Sequence, residues 1–334
     1  PIKDECIIND SSVVHRGISY KSSGVDIDKN TEVINGIKDY VKSTYTDNFV
    51  GVHGGFGGKF KVGNEILVSS TDGVGTKSIV MYDKLGNHGL YFCGYDIVNH
   101  CINDILVEGA FPLFFLDYYA SANLKVANTI QFVKGCSEAC KAHECVLIGG
   151  ETAEMPDVYK ENKMDLVGTI VGIQKINMNI PTHGDYVIYF NSSGPHTNGY
   201  SLIRKCLNLE TPTDNIMRTL LKPHRCYLDN IKDIITTFPN IINGMCHITG
   251  GGIENIDRIL PSHLKIDKYP NGIPEWCKWI QKVSCSTDEE MFKTFNMGIG
   301  FLVIIDHKQY HQFKNLFKDK YNLYGFVNIK NNLK

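Results

Sequence analysis

Residues 66–77 read ILVSSTDGVGTK, and this stretch decides the fold class. The run ILVSS has the length and composition of a short buried strand. It ends at Asp72, which is followed by Gly73 and Gly75. A strand feeding an acidic, glycine-bearing loop is how α/β proteins present ligand groups. The pattern returns at 146–151, where VLI meets GGE and places Glu151 after a second strand.

Outward from there, strand and helix signals alternate. Residues 96–109 carry Ile97, Val98, Cys101, Ile102, Ile105 and Leu106, a spacing that predicts a helix. Its polar side carries Asp96, Asn99, His100, Asn103 and Asp104. Further strands are expected at 113–119, 146–148 and 166–173, and helices near 32–43 and at 126–141. Near 174–184 the apolar pattern lapses and Pro181, His183 and Gly184 cluster, which places a domain boundary there. The expected units are 1–174 and 175–334. In the second, a strand at 186–190, a helix at 200–207, a helix from Glu254, a strand at 299–305 and a helix from Lys308 restart the alternation. The fold class is therefore α/β (α+β) in two halves.

Composition bounds the function. The chain has 334 residues, 43% hydrophobic and 21% charged, enough for large buried cores. Its formal charge is −2, so no basic excess points to nucleic acid. No apolar run reaches the ~18 residues of a membrane span. Eleven scattered cysteines without a disulfide framework, and no signal pattern, predict a reducing, cytoplasmic setting.

Asp72, Asp104 and Glu151 read as carboxylates without nearby His or Cys, a set that suits a hard cation such as Mg²⁺. Such an ion would neutralise a polyphosphate. The competing reading is that these acids cap helices. Five of the eleven residues at 50–60 are glycine, and Gly54, Gly55, Gly57 and Gly58 with Lys59 form either a phosphate cradle or a flexible turn. The loop SSGPHTNGYS at 192–201 holds Ser193, His196, Thr197 and Asn198 where a strand meets a helix, a place for an anion and a proton-moving imidazole. HITGGG at 247–252 offers His247, Thr249, Gly250 and Gly251. Cys136, Cys140, His143 and Cys145 lack the paired spacing of structural zinc sites, and core packing is the better expectation.

Taken in order, SGVDID, GGFGGKF, STDGVGTK, CINDILVEGA, PLFFLDYYA, LIGGETAEMP, SSGPHTNGYSL, HITGGGIENI and EEMFKTFNMGIG resemble phosphoribosylformylglycinamidine cyclo-ligase over nearly the whole chain. The resemblance implies a two-domain PurM-like fold, and a homodimer that pairs its N-terminal sheets. It implies ATP, Mg²⁺ and the substrate formylglycinamidine ribonucleotide. Carried over by motif, Asp72, Asp104 and Glu151 are implied at Mg²⁺–ATP, and Lys77 and the GGFGG glycines at the nucleotide. Asp26 and Asp28 are implied in a segment covering the site, with Asp26 counted among the catalytic residues. Ser193, His196, Thr197, Asn198, His247, Thr249, Gly250 and Gly251 are implied at substrate or proton transfer, with the proton carrier open between His196 and His247. The family commonly has Cys where Met297 stands, so no thiol is expected to be required there.

Overall fold

The computed structural model describes residues 5–7, 14–266, 272–317 and 326–331. In chain order the elements are β1 (Glu5–Ile7), β2 (Val14–Arg16), α1 (Ile27–Lys42), β3 (Gly58–Val62), β4 (Glu65–Gly73), α2 (Lys77–Leu85), α3 (Asn87–Val107), β5 (Ala110–Ser121), α4 (Val126–Ala142), β6 (Val146–Glu154) and β7 (Met164–Gln174). Then follow β8 (Tyr186–Asn191), α5 (Tyr200–Leu209), α6 (Asp214–Leu220), α7 (Leu228–Thr237), β9 (Ile242–His247), β10 (Leu264–Ile266), α8 (Glu275–Ser284), α9 (Asp288–Thr294), β11 (Ile299–Ile305), α10 (Tyr310–Phe317) and β12 (Phe326–Asn331). The helix expected from Glu254 is a 3₁₀ turn over Gly252–Arg258.

Strands β3-β4-β7-β5-β6 form one sheet and β10-β12-β8-β11-β9 another. The N-terminal sheet is antiparallel except where β5 and β6 run parallel, joined through α4. α3 is the central strut. Its residues Leu90, Cys93, Ile97, Val98, Cys101, Ile102, Ile105 and Leu106 are fully buried. Each such aliphatic side chain contributes about 1.5–3 kcal/mol relative to exposure. α3 and α4 meet backbone to backbone, because a Cβ on Gly94 would lie 2.5 Å from the Cys136 nitrogen. Cys136 and Cys140 pack into that same core.

The structure departs from the expected pattern in two places that matter for the site. The strands do not stop before their acids: β4 continues through Asp72, paired with Gly168, and β6 through Glu151, paired with Tyr118. Ladder hydrogen bonds to β7 and β5 hold both segments extended, so neither acid caps a helix. Nor is the polar side of α3 a solvent face. Asp96, Asn99, His100, Asn103 and Asp104 are all buried.

Candidate functional site

Asp96, Asn99 and Asn103 share one face of α3 by their three- and four-residue spacing. That face clamps the irregular segment between α6 and α7. Asp96 Oδ1 accepts from the His224 amide at 2.7 Å, and Asn99 Nδ2 donates to the His224 carbonyl at 2.6 Å. Asn103 donates to the Arg225 carbonyl at 2.8 Å and accepts from the Tyr227 amide at 3.0 Å. Buried side chains thus take the place of the secondary structure that this backbone lacks.

His100 and Asp104 lie one turn apart on the same helix. His100 Nε2 is 3.1 Å from Asp72 Oδ2 and 3.5 Å from Asp104 Oδ2. Its Nδ1 is 2.8 Å from Thr197 Oγ1. Asp104 Oδ1 is 2.8 Å from His247 Nδ1 at the end of β9, and Ser70 Oγ donates to Asp104 Oδ2 at 3.2 Å. His247 Nε2 is 2.9 Å from His224 Nε2, and the His224 ring stacks on His196 at 3.9 Å between centroids. Four imidazoles and two carboxylates therefore form one connected array where α3 meets the loops of the second sheet.

Burial and charge set the electrostatics. Burial opposes a charge on His100, but the carboxylates of Asp72 and Asp104 outweigh it and push its pKa up to about 9. Burial likewise opposes ionisation of Asp72, yet the His100 charge holds its carboxyl down to about 2. Burial keeps His196 and His224 well below the usual histidine range. His247 is also lowered by burial, against the pull of the Asp104 hydrogen bond.

The backbone of His196 is left-handed, with φ of 63°, a conformation a non-glycine residue keeps only when its surroundings force it. Ser193 N donates to its Nε2 at 3.3 Å. Gly300 on β11 makes room for the ring, since a Cβ there would lie 2.6 Å from His196 Cε1. The loops of His196 and His247 meet again at Asn198, whose Oδ1 would stand 3.2 Å from a Cβ on Gly250. Thr249 and Gly250 offer their carbonyls to Asn255 Nδ2, and Gly251 has φ of 91°. Behind Ser193 lies a cavity of about 530 Å³, also lined by Ser192, Lys222, Trp276, Met297 and Gly298.

Other expected residues sit elsewhere. Glu151 is exposed and falls in the outward row Gly73–Val167–Tyr118–Glu151, one residue out of step with the inward row Asp72–Gly168–Asp117–Gly150. A one-residue offset reverses the face. Asp72 and Glu151 therefore project from opposite sides of the sheet and cannot share one ion within this chain, a correction to the three-carboxylate cluster. Lys77, expected at a nucleotide, is fully buried with Nζ 2.7 Å from Asp96 and 2.8 Å from the Lys222 carbonyl. Lys59 is paired with Glu108 at 2.8 Å. Glu108 also accepts from the Phe56 amide, and Arg258 donates to the Gly54 carbonyl, so the glycine loop is tethered at both ends. Gly57 presses on β4, its Cβ position 2.8 Å from Val68. Gly55 and Gly58 flank that contact. Asp26 caps α1 and pairs with Lys21 at 2.9 Å, and Asp28 lies within α1. Sequence reasoning gave no role to His100, His224 or the buried Asp117. The four-residue spacing of His100 and Asp104 was a readable signal, whereas nothing local marks His224.

Residues 57–174 match the family AIR synthase related protein, N-terminal domain, and residues 182–324 match its C-terminal domain. The phosphoribosylformylglycinamidine cyclo-ligase of Finegoldia magna is 42% identical over 311 residues, covering 87% of this chain and 90% of that protein. That of Neisseria meningitidis serogroup C is 41% identical over 308 residues, covering 86% and 88%. The chain belongs to the phosphoribosylformylglycinamidine cyclo-ligase family. Solved structures share its fold at low identity. The thiamine monophosphate kinase of Aquifex aeolicus superposes with a TM-score of 0.58 at 16% identity, covering 90% of this chain and 93% of that one. Phosphoribosylformylglycinamidine synthase II of Thermotoga maritima gives 0.54 at 12%, covering 88% of this chain and 44% of its own length. The cyclo-ligase fold is thus the two-domain α/β arrangement described above. Among the described residues no helix is long and apolar enough to cross a membrane.

Proposed function

We propose that the array around His100, His196, His224 and His247 is where this cyclo-ligase closes the aminoimidazole ring. The chain is a ligase of purine biosynthesis that forms a C–N bond. ATP phosphorylates the formyl oxygen of formylglycinamidine ribonucleotide, turning a poor leaving group into phosphate. The amidine nitrogen of the same molecule then attacks that carbon, and the products are aminoimidazole ribonucleotide, ADP and phosphate.

The observation that carries the site assignment is the chain of contacts from Asp72 through His100 and Asp104 to His247. It joins an ionised, partly exposed carboxylate to buried neutral imidazoles. Asp72 suits Mg²⁺, because 44% of its side chain is exposed and each carboxylate oxygen has a further lone pair beyond its bond to His100 or to the Gly73 amide. Asp104 stands behind it. Mg²⁺ bound there would neutralise polyphosphate charge. The neutral rings of His196 and His247 can take or give the protons exchanged as the amidine attacks. Gly54, Gly55, Gly57 and Gly58 edge the nucleotide end. Ser193, Thr197, Asn198, Thr249, Gly250 and Gly251 edge the substrate end, with the cavity behind Ser193 receiving the ribose phosphate near Lys222.

A homodimer through the outer face of the N-terminal sheet completes this reading. That face leaves Phe60, Val62, Leu116 and Val146 exposed, an apolar patch of the kind a partner covers. Glu151 lies on it, so its part in nucleotide binding would be played at the dimer interface.

The test uses purified chain, substrate and Mg-ATP, following ADP and aminoimidazole product together. Asp72→Asn should abolish turnover while leaving the melting temperature within a few degrees. Wild-type turnover in that variant removes Asp72 from the site.

A further inference from the structure

We propose that His224 is a positioning residue for ring closure, holding the rings of His196 and His247 in one array with fixed tautomers. The proposal rests on the reading above for the step that the array serves.

Three independent features place His224 in that role. Its backbone is bolted at both ends to α3, through Asp96 and Asn99. Its ring stacks on His196, with 21° between the planes, on a side chain already confined by Gly300 and a left-handed backbone. Its Nε2 meets His247 Nε2 at 2.9 Å. The segment carrying it has no regular structure, so side chains from outside it fix where the ring stands: Asp96 and Asn99 on α3, Lys77 on the Lys222 carbonyl and Ser193 on the Pro223 carbonyl.

The hydrogen bonds then dictate the tautomers. A carboxylate at Asp104 accepts only, so His247 carries its proton on Nδ1 and presents a bare Nε2. His224 must therefore donate from Nε2, which leaves its own Nδ1 bare. His196 accepts at Nε2 from the Ser193 amide, so its proton sits on Nδ1. Both of these Nδ1 atoms are buried and lack a hydrogen-bond partner among the described residues. One is an acceptor and the other a donor. Burying such groups unpaired is costly, and ligand-facing sites are where that cost is tolerated. Without the His224 N–H, the His247 ring keeps only one of its two tethers.

Two measurements test this. The first is ¹⁵N imidazole NMR of the wild-type chain without ligands, which needs no activity. It should report His247 as the Nδ1–H tautomer and His224 as the Nε2–H tautomer. A His224 Nδ1–H tautomer overturns the proposal. The second compares His224→Phe, which keeps a ring for stacking, with His224→Gln, which keeps a donor near Nε2. The Phe variant should lose about 100-fold in kcat with KM for Mg-ATP within about twofold, and the Gln variant should recover at least about tenfold of that. Equal impairment of the two, or a folded Phe variant within about threefold of wild type, contradicts it. If the Phe variant fails to fold, the tautomers decide. A wild-type chain that makes no ring product sinks the cyclo-ligase reading while the tautomers still decide the role of His224.

Discussion

His100 Nε2 lies 3.1 Å from Asp72 Oδ2, joining the middle of α3 to the last turn of the pleat in β4. The histidine is raised from 6.5 to about 9, and the acid is lowered from 3.8 to about 2. The two shifts act over different windows. A raised His stabilises fully below its unfolded value and loses that contribution as pH climbs through the folded value. A lowered Asp stabilises above its unfolded value and loses it as pH falls through the folded one. Metal-free protein should therefore show a falling urea midpoint between about pH 7 and 9.5. His100→Asn should flatten that fall. An unchanged pH slope in the variant would assign the fall to another group.

Lys77 and Asp96 form a fully buried pair that also anchors Lys222 and His224. Lys77→Met removes the cation beside the buried Asp96 carboxyl and leaves it the His224 amide. The expected cost is about 3–5 kcal/mol, read by denaturant unfolding. A loss under about 1 kcal/mol would mean that water reaches Asp96.

Gly300→Ala would put a Cβ 1.8 Å from Tyr227 Oη and 2.6 Å from His196 Cε1. Stability should drop by about 1–3 kcal/mol, and turnover should fall with it because the His196 ring must move. Adding Tyr227→Phe should recover part of the stability and little of the turnover. Full recovery of both would free His196 from any positional demand.

Asp72 and Asp104 meet through His100, whereas Asp72 and Glu151 face opposite sides of the sheet. In Mg-ATP binding titrations, Asp72→Asn and Asp104→Asn should weaken affinity non-additively. Asp72→Asn and Glu151→Gln should combine additively. Strong coupling of the second pair would show Glu151 reaching the ion from another chain.

Leu116→Glu with Val146→Glu places charges on the open face of the N-terminal sheet. Sedimentation should shift from dimer toward monomer, with secondary structure unchanged by circular dichroism. A variant that keeps the wild-type mass moves the interface elsewhere.

Much of the fold was legible because its signals are local. The apolar spacing over 97–106 marks α3, and the run at 299–305 coincides with β11. What escaped depends on pairing between distant segments. Nothing in TDGVGTK says that β7 will hold Asp72 in a ladder, and only the register reveals that Glu151 faces away. His100 was visible as a polar helix residue, but its burial follows from the second sheet closing over α3. His224 sits in a segment without periodicity, positioned by side chains 120 residues and more upstream, as with Asp96 and Asn99. The His196 and His247 loops were readable from their glycines, and the same structure brings them together at Asn198 and Gly250.

The central claim is that ATP activates the formyl oxygen so that the ring can close on that carbon. The most direct measurement follows substrate labelled with ¹⁸O in the formyl group through one turnover with Mg-ATP. The account predicts one ADP per aminoimidazole ring formed and the label recovered in inorganic phosphate. Label appearing in water, or ADP released without ring product, would contradict it.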